Sequence, residues 1–433
     1  MKRIFKWAAG ALVLLIAVAA GIVAMLNVDD QGAQPPAAST ASATATAEQI
    51  ARGAYLVRTG DCTACHTARG GKELAGGRAI LTPFGAVYSP NVTPDKTTGI
   101  GTWSADDFWQ ALHNGKSKDG SLLYPAFPYT NYTKVTRSDA DAMFAYLRSV
   151  PPVPQKNRRH ELRFPYNNRF LLYGWRALYF RPGVYQAETQ QSVEWNRGAY
   201  LVQGLGHCSA CHTTRNALGG TDLKADLGGG FIPVVNWYAP SLTSDQEIGL
   251  GDWDVEHITG LLKNGVSPRG TVLGPMAEVV GASLQHLSDQ DVRAMAVYLK
   301  SLPRRKEAAE TEERARPDEV ARVMELGQKI YKNHCIDCHQ ASGKGQWPAY
   351  PPLASNHAIT MPAPVNAIRV VLNGGFAPST AANPRPYGMP PYGPTLNDGE
   401  VAAVVSYIRN SWGNKAPIVG ASEVSRYRAV PLD

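Results

Sequence analysis

The chain is 433 residues long and sets 43 basic side chains against 36 acidic ones, a formal net charge of +7. This balance favours encounter with anionic lipid or acidic protein surfaces and has no bearing on fold. All 6 cysteines fall in three copies of one pentapeptide, so none is left for a structural disulfide. About 130 residues per copy leave no room for a large separate catalytic domain.

Residues 1–28 open with Lys2, Arg3 and Lys6, after which no charge appears from Trp7 to Val28. The run Ala8 to Leu26 is almost wholly apolar and close to the roughly 20 residues that span a bilayer. Ala17-Val18-Ala19 is a small-x-small cleavage signal, so the segment reads as either a membrane anchor or a cleaved signal. Both readings place the body in the periplasm, because the positive end stays inside. Residues 29–47, rich in Ala, Ser, Thr, Gln and Pro, read as a flexible tether.

Three modules follow, expected at 48–150, 192–303 and 321–413. Each carries a Cys-x-x-Cys-His motif: Cys62, Cys65 and His66; Cys208, Cys211 and His212; Cys335, Cys338 and His339. Two thiols three residues apart on one helical turn can each add to a haem vinyl group, and the adjacent histidine then faces the iron. A zinc site would need further cysteine or histidine ligands, and no cysteine remains to supply them. A redox dithiol does not require the histidine. The motifs therefore predict three covalently bound haem c groups, with His66, His212 and His339 as proximal ligands.

Internal repetition supports the division. Arg52-Gly-Ala-Tyr-Leu-Val57 recurs as Arg197-Gly-Ala-Tyr-Leu-Val202, and the Pro90 to Trp103 stretch matches Pro240 to Trp253. Leu112-His-Asn-Gly115 pairs with Leu262-Lys-Asn-Gly265. The third module is more distant, with Leu326 to Tyr331 ahead of its motif. Each module ends in a helical pattern, at Ala142 to Leu147, Val292 to Leu299 and Val401 to Ile408, with N-cap candidates at Ser138-Asp139, Ser288-Asp289 and Asn397-Asp398. The expected fold class is all-α: three tandem class I-like cytochrome c domains behind an N-terminal membrane segment, with few strands.

The connectors differ. Residues 151–191 mix Arg158, Arg159, Arg163, Arg169, Arg176 and Arg181 with Phe170, Tyr173, Trp175, Tyr179 and Phe180. They read as a linker with packed aromatics and solvated arginines, or as a docking or membrane-facing surface. Residues 304–320 form a charged connector and 414–433 a C-terminal tail.

The sixth iron ligand decides what each haem can do. A thioether opposite histidine gives a six-coordinate, electron-transferring iron at raised potential. Met276 in Gly274-Pro-Met and Met389 in Tyr387-Gly-Met-Pro390 fit that role. In the first module the equivalent position is Phe127, which cannot coordinate iron. Met143 aligns with Met295 and reads as core. His113 is a possible substitute and reads more simply as a loop histidine. Haem one is expected to be five-coordinate or unusually ligated.

With Arg-Gly-Ala-Tyr-Leu-Val before the motifs, Gly274-Pro-Met-Ala277 and Asn383-Pro-Arg-Pro-Tyr-Gly-Met-Pro-Pro391, the chain resembles the triheme cytochrome c subunits of membrane-bound bacterial dehydrogenases. The resemblance covers nearly all of the exported part. It implies a separate catalytic subunit of PQQ, FAD or molybdenum type as electron donor, and ubiquinone or a terminal oxidase as acceptor, at the periplasmic face of the inner membrane. It also implies Met276 and Met389 as distal ligands, and it assigns no role to Phe127. No dinucleotide fingerprint or spare metal-ligand cluster points to catalysis within the chain, and the compartment excludes nucleic acid. The alternative is a haem enzyme that reduces a small ligand such as peroxide at an open haem one. Such catalysis usually needs a polar acid/base group over the iron.

Overall fold

A computed structural model describes residues 2–27, 29, 45–245, 249–304 and 316–430. The expected tether and the charged connector therefore lie mostly outside the described residues. Two compact units divide the chain. One comprises Met1–Val57, Cys65–Gln186 and Arg215–Thr221; the other comprises Arg58–Ala64, Ala187–Thr214 and Asp222–Asp433.

In the first unit the N-terminal helix Lys2–Leu26 contains a 23-residue stretch, Ile4–Leu26, long and apolar enough to cross a membrane. The helix Ala47–Thr59 meets the terminal helix Arg137–Ser149. At that crossing a Cβ on Gly53 would lie 1.9 Å from the Ala142 carbonyl oxygen, so only glycine allows the two backbones to approach this closely. Arg52 Nε donates to Asp139 Oδ1 at 2.8 Å, tying the first helix to the first turn of the last.

The second unit repeats this geometry twice. Val193–Tyr200 crosses Asp289–Ser301, with a Cβ on Gly198 falling 1.9 Å from the Ala294 oxygen. Pro317–His334 crosses Asp398–Arg409, and a Cβ on Gly327 would lie 2.2 Å from the Ala403 oxygen. The Arg52–Asp139 tie also recurs: Arg197 Nε and Nη2 donate to Asp291 at 2.8 and 2.7 Å. Around the third crossing Ile330, Tyr331, Ile368, Leu372, Val401 and Val405 form a buried core, with Tyr407 and Trp412 packed beside it.

Two of the three expected caps are found. Ser288 and Asn397 accept from the N–H groups of Asp291 and Glu400. In the first module the cap is Thr136, two residues before the expected Ser138, and it accepts from Asp139 N–H. The Thr-x-x-Asp pattern decides, because the cap oxygen must reach the third helical N–H.

The all-α expectation is overturned. The described residues hold nine short strands in four antiparallel sheets, and the protein is mixed α and β. Ala79–Thr82, Gly85–Tyr88 and Glu161–Leu162 form the three-stranded sheet, in the register Ala79 to Tyr88 and Gly85 to Leu162. Gly230–Ile232 with Trp237–Ala239, Val266–Ser267 with Gly270–Thr271, and Gly375–Phe376 with Gly388–Met389 form the others. The cause lies in the long Gly-rich segments between helices, whose polar backbone groups pair as hairpins when they pack inward.

The expectation of solvated linker arginines fails at Arg176 alone, which is buried; the other five are exposed, although several also bond protein groups. Glu161–Leu162 extends the first hairpin. Arg158 lies over the Tyr88 ring at 3.8 Å and donates to its hydroxyl at 2.9 Å. Arg169 Nη1 donates to Ser121 Oγ at 2.8 Å, and Arg163 bonds the Pro83 carbonyl. Arg176 is buried, donating to Asn27 Oδ1 at 3.0 Å and to the Asn114 carbonyl.

Candidate haem sites

Each motif occupies a single helical turn: Cys62–His66, then Ser209–His212 directly after Cys208, and Ile336–His339 directly after Cys335. On such a turn the two sulfurs and the imidazole share one side. All three histidines are fixed in the same way. The Nδ1 atoms of His66, His212 and His339 lie 2.7, 2.7 and 3.1 Å from the carbonyl oxygens of Pro90, Pro240 and Pro351. A carbonyl only accepts, so Nδ1 carries the proton and the Nε2 lone pair is left for a metal.

Glycine brings that proline segment into place. Gly76, Gly229 and Gly345 donate their N–H groups to the carbonyls of His66, His212 and His339 at 2.7, 2.9 and 3.1 Å. All three have positive φ. A Cβ on Gly76 would lie 2.4 Å from Pro90, and one on Gly345 would lie 2.5 Å from the Pro351 oxygen. Sequence reading missed this second set of supports, although glycines downstream of each motif were there to find.

Burial lowers the pKa of all three imidazoles, partly offset by the proline carbonyls. They are therefore neutral and able to ligate near pH 7. Burial, reinforced by the neighbouring motif cysteine, pushes the Cys208 thiol up to about 12 and the Cys335 thiol up to about 11. A redox dithiol needs the opposite shift. The donor set and its geometry fit a covalently attached haem.

Met389 is half-buried on the strand Gly388–Met389 and packs, with Cys335 and Ile336, against the third core. The structure thus brings the third motif and its candidate distal ligand onto one cluster. Gly374, at φ 67°, admits the Met389 carbonyl, which would lie 2.2 Å from a Cβ there. Met276 stands in the first turn of Pro275–Ala282, half-buried, and follows Gly274 at φ 57°, whose open side is filled by the Trp237 ring.

In the first module Phe127 is half-buried in a turn closed by Phe127 N–H to Tyr124 O at 3.0 Å, its ring 5.1 Å from Tyr132. Met143 is a core residue at the helix crossing. His113 is a helical core histidine: it lies in the last turn of Ala105–Asn114, is fully buried, bonds the Thr133 carbonyl through Nδ1 at 3.0 Å and stacks on Trp109. The loop reading is corrected because the helix extends one residue past it. Lys263, at the matching place in the second module, bonds the Leu287 carbonyl. Both side chains tie a helix end to the segment that leads into the terminal helix.

Three helix pairs, each presenting a Cys-x-x-Cys-His turn with an oriented neutral imidazole, define a c-type haem protein. The cytochrome c family profile matches residues 50–151, 196–303 and 324–412, and the chain belongs to that family. Its cofactor is covalently bound haem c and its role is electron transfer. Among its relatives, the gluconate 2-dehydrogenase cytochrome c subunit of Pantoea cypripedii is 40% identical over 88% of this chain and 89% of its own length. The cytochrome c subunit of the quinone alcohol dehydrogenase of Gluconobacter oxydans (strain 621H) is 39% identical over 88% and 82%. The fructose dehydrogenase cytochrome subunit of Gluconobacter japonicus is 36% identical over 95% and 89%.

Proposed function

We propose that the chain is the triheme electron-transfer subunit of a membrane-bound dehydrogenase, receiving electrons from a separate catalytic subunit and delivering them to ubiquinone or a terminal oxidase on the periplasmic side. The observation that carries this reading is the threefold recurrence of the oriented imidazole. His66, His212 and His339 each spend Nδ1 on a proline carbonyl, which leaves Nε2 for iron, and each directly follows a Cys-x-x-Cys pair. Bound haem supplies reversible one-electron chemistry. The chain's own residues hold it: Cys62, Cys65, Cys208, Cys211, Cys335 and Cys338 as thioether attachments, the three histidines as proximal ligands, and Met276 and Met389 as distal ones. The modules lie at 48–150, 192–303 and 321–413. The N-terminal helix is retained as an anchor, since Asn27 and Asp29 just beyond it bond Tyr173, Arg176 and Lys116. Catalytic subunits of PQQ, FAD and molybdenum type all suit this role.

The test is purification of the native complex from membranes, with identification of the large subunit and its cofactor and a haem count per chain. Three haems that are reduced on addition of the large subunit's substrate are expected. A chain that purifies without a catalytic partner, or that holds fewer haems, would overturn the proposal.

A further inference from the structure

The helix Leu171–Tyr179 is built inside out for a protein surface in water. Its only charged residue, Arg176, is 2% exposed. Its outward side carries Leu171 and Leu178, seven residues apart and so on one face, with Phe170 and Tyr173 beside them. Phe170 is 80% exposed and Leu178 65%, and Phe164, a few residues upstream, is 86% exposed. Polar groups turned inward and apolar groups turned outward are what a lipid-facing surface requires.

The place of this helix in the first unit identifies what covers it. It packs against the N-terminal apolar helix. Asn27, one residue beyond the span, donates from Nδ2 to the Tyr173 carbonyl at 2.9 Å and accepts from Arg176 Nε at 3.0 Å. Lys116 pairs with Asp29 at 2.6 Å, two residues further on. The helix is thus fastened to the chain where the span ends, at the level of the lipid headgroups. Arg163 and Arg169, both exposed, flank it, and aromatic and arginine side chains act as anchors where a span meets the interface.

We propose that Phe164, Phe170, Leu171, Tyr173 and Leu178 form a second membrane contact, lying in the bilayer interface where the N-terminal helix emerges and holding the first module against the lipid. The proposal rests on the anchor reading of the N-terminal helix, and the test separates the two. The full haem-loaded chain is reconstituted in nanodiscs of phosphatidylethanolamine and phosphatidylglycerol. A photoreactive benzoylphenylalanine replaces Leu178, Leu14 or Lys96 in turn, and lipid adducts are read by mass spectrometry. Leu14 reports the anchor; Lys96 is an exposed polar control. The expected result is adduct formation at 178 comparable with that at 14 and at least tenfold above that at 96. Adducts at 14 with only background at 178 overturn the second contact and leave the anchor standing. Background at 14 overturns the anchor and the proposal with it. In native membranes, a polypeptide adduct at 178 in place of a lipid adduct would make this surface a protein interface and also overturn the proposal.

Discussion

Under the proposed ligand set, one side chain sets the first haem site apart from the other two. Met276 follows the positive-φ Gly274 by two residues, and the Met389 carbonyl lies against the positive-φ Gly374, whereas the corresponding turn of the first module carries a phenyl ring. Phe127 cannot ligate iron, so in the reduced protein carbon monoxide is expected to bind one haem in three. Phe127→Met should abolish that binding and raise the midpoint potential of the same haem, because a thioether ligand favours the reduced iron. Carbon monoxide difference spectra and a spectroelectrochemical titration of both proteins read the two effects. Failure of the wild-type chain to bind carbon monoxide would remove the distinction. Tyr129 in the same module makes a separate prediction. It is fully buried against Phe180, and burial pushes its hydroxyl from 10.0 up to about 12, opposed by Arg176. The folded state therefore holds this proton more tightly than the unfolded chain. Its contribution is intact below pH 10 and is lost as pH rises towards 12, by up to about 3 kcal/mol. Alkaline melts of Tyr129→Phe should lose that part of the decline.

At the scale of elements, the helix crossings decide stability. Gly53, Gly198 and Gly327 face carbonyl oxygens that a Cβ would approach to 1.9, 1.9 and 2.2 Å. Each Gly→Ala change must push two helices apart, at a cost of ~2–3 kcal/mol, measured as a shift in thermal or denaturant midpoint. An unaltered midpoint in any of the three would mean that the crossing is looser than it appears. These glycines also mark how far the sequence could be read. The repeat around Arg52 and Arg197 exposed the duplication, but the reason for its glycine is a carbonyl some ninety residues away. The strands escaped for a different reason: at two to four residues each, they are too short for an alternating pattern to register. Arg176 of the linker misled because one of the groups that bury it, the Asn114 carbonyl, is a backbone atom of a kind present at every residue. Phe127 was legible because it broke a repeat. The proline carbonyls that orient the histidines were not, because backbone acceptors leave no mark in composition.

For the molecule as a whole, the division into motifs predicts how electrons are counted. A chain with three c-type sites takes up three electrons in a reductive titration. The third module shares one compact unit with the second, where Tyr238 and Asn366 exchange two hydrogen bonds at 2.9 and 2.7 Å, yet it has a core of its own. Tyr331, Tyr407 and Trp412 pack on one another at 5.1 to 5.7 Å beside the helix crossing, so the helix pair has support that does not depend on haem. Cys335, Ile336 and Met389, by contrast, are only half-buried on the edge of that core, where the ring would complete their packing. Replacing Cys335 and Cys338 by alanine should therefore lower electron uptake from three to two per chain, and the spectrum of the first haem, in the other compact unit, should be unchanged. The helix pair should survive while the strand bearing Met389 loosens. Chymotrypsin would then be expected to cut after Tyr387, which is already 65% exposed, far faster than in the intact protein. Coulometric titration with limited proteolysis reads both consequences. An unchanged cutting rate would show that the Met389 strand is held by its pairing with Gly375–Phe376, and that haem attachment contributes little to the order of this module.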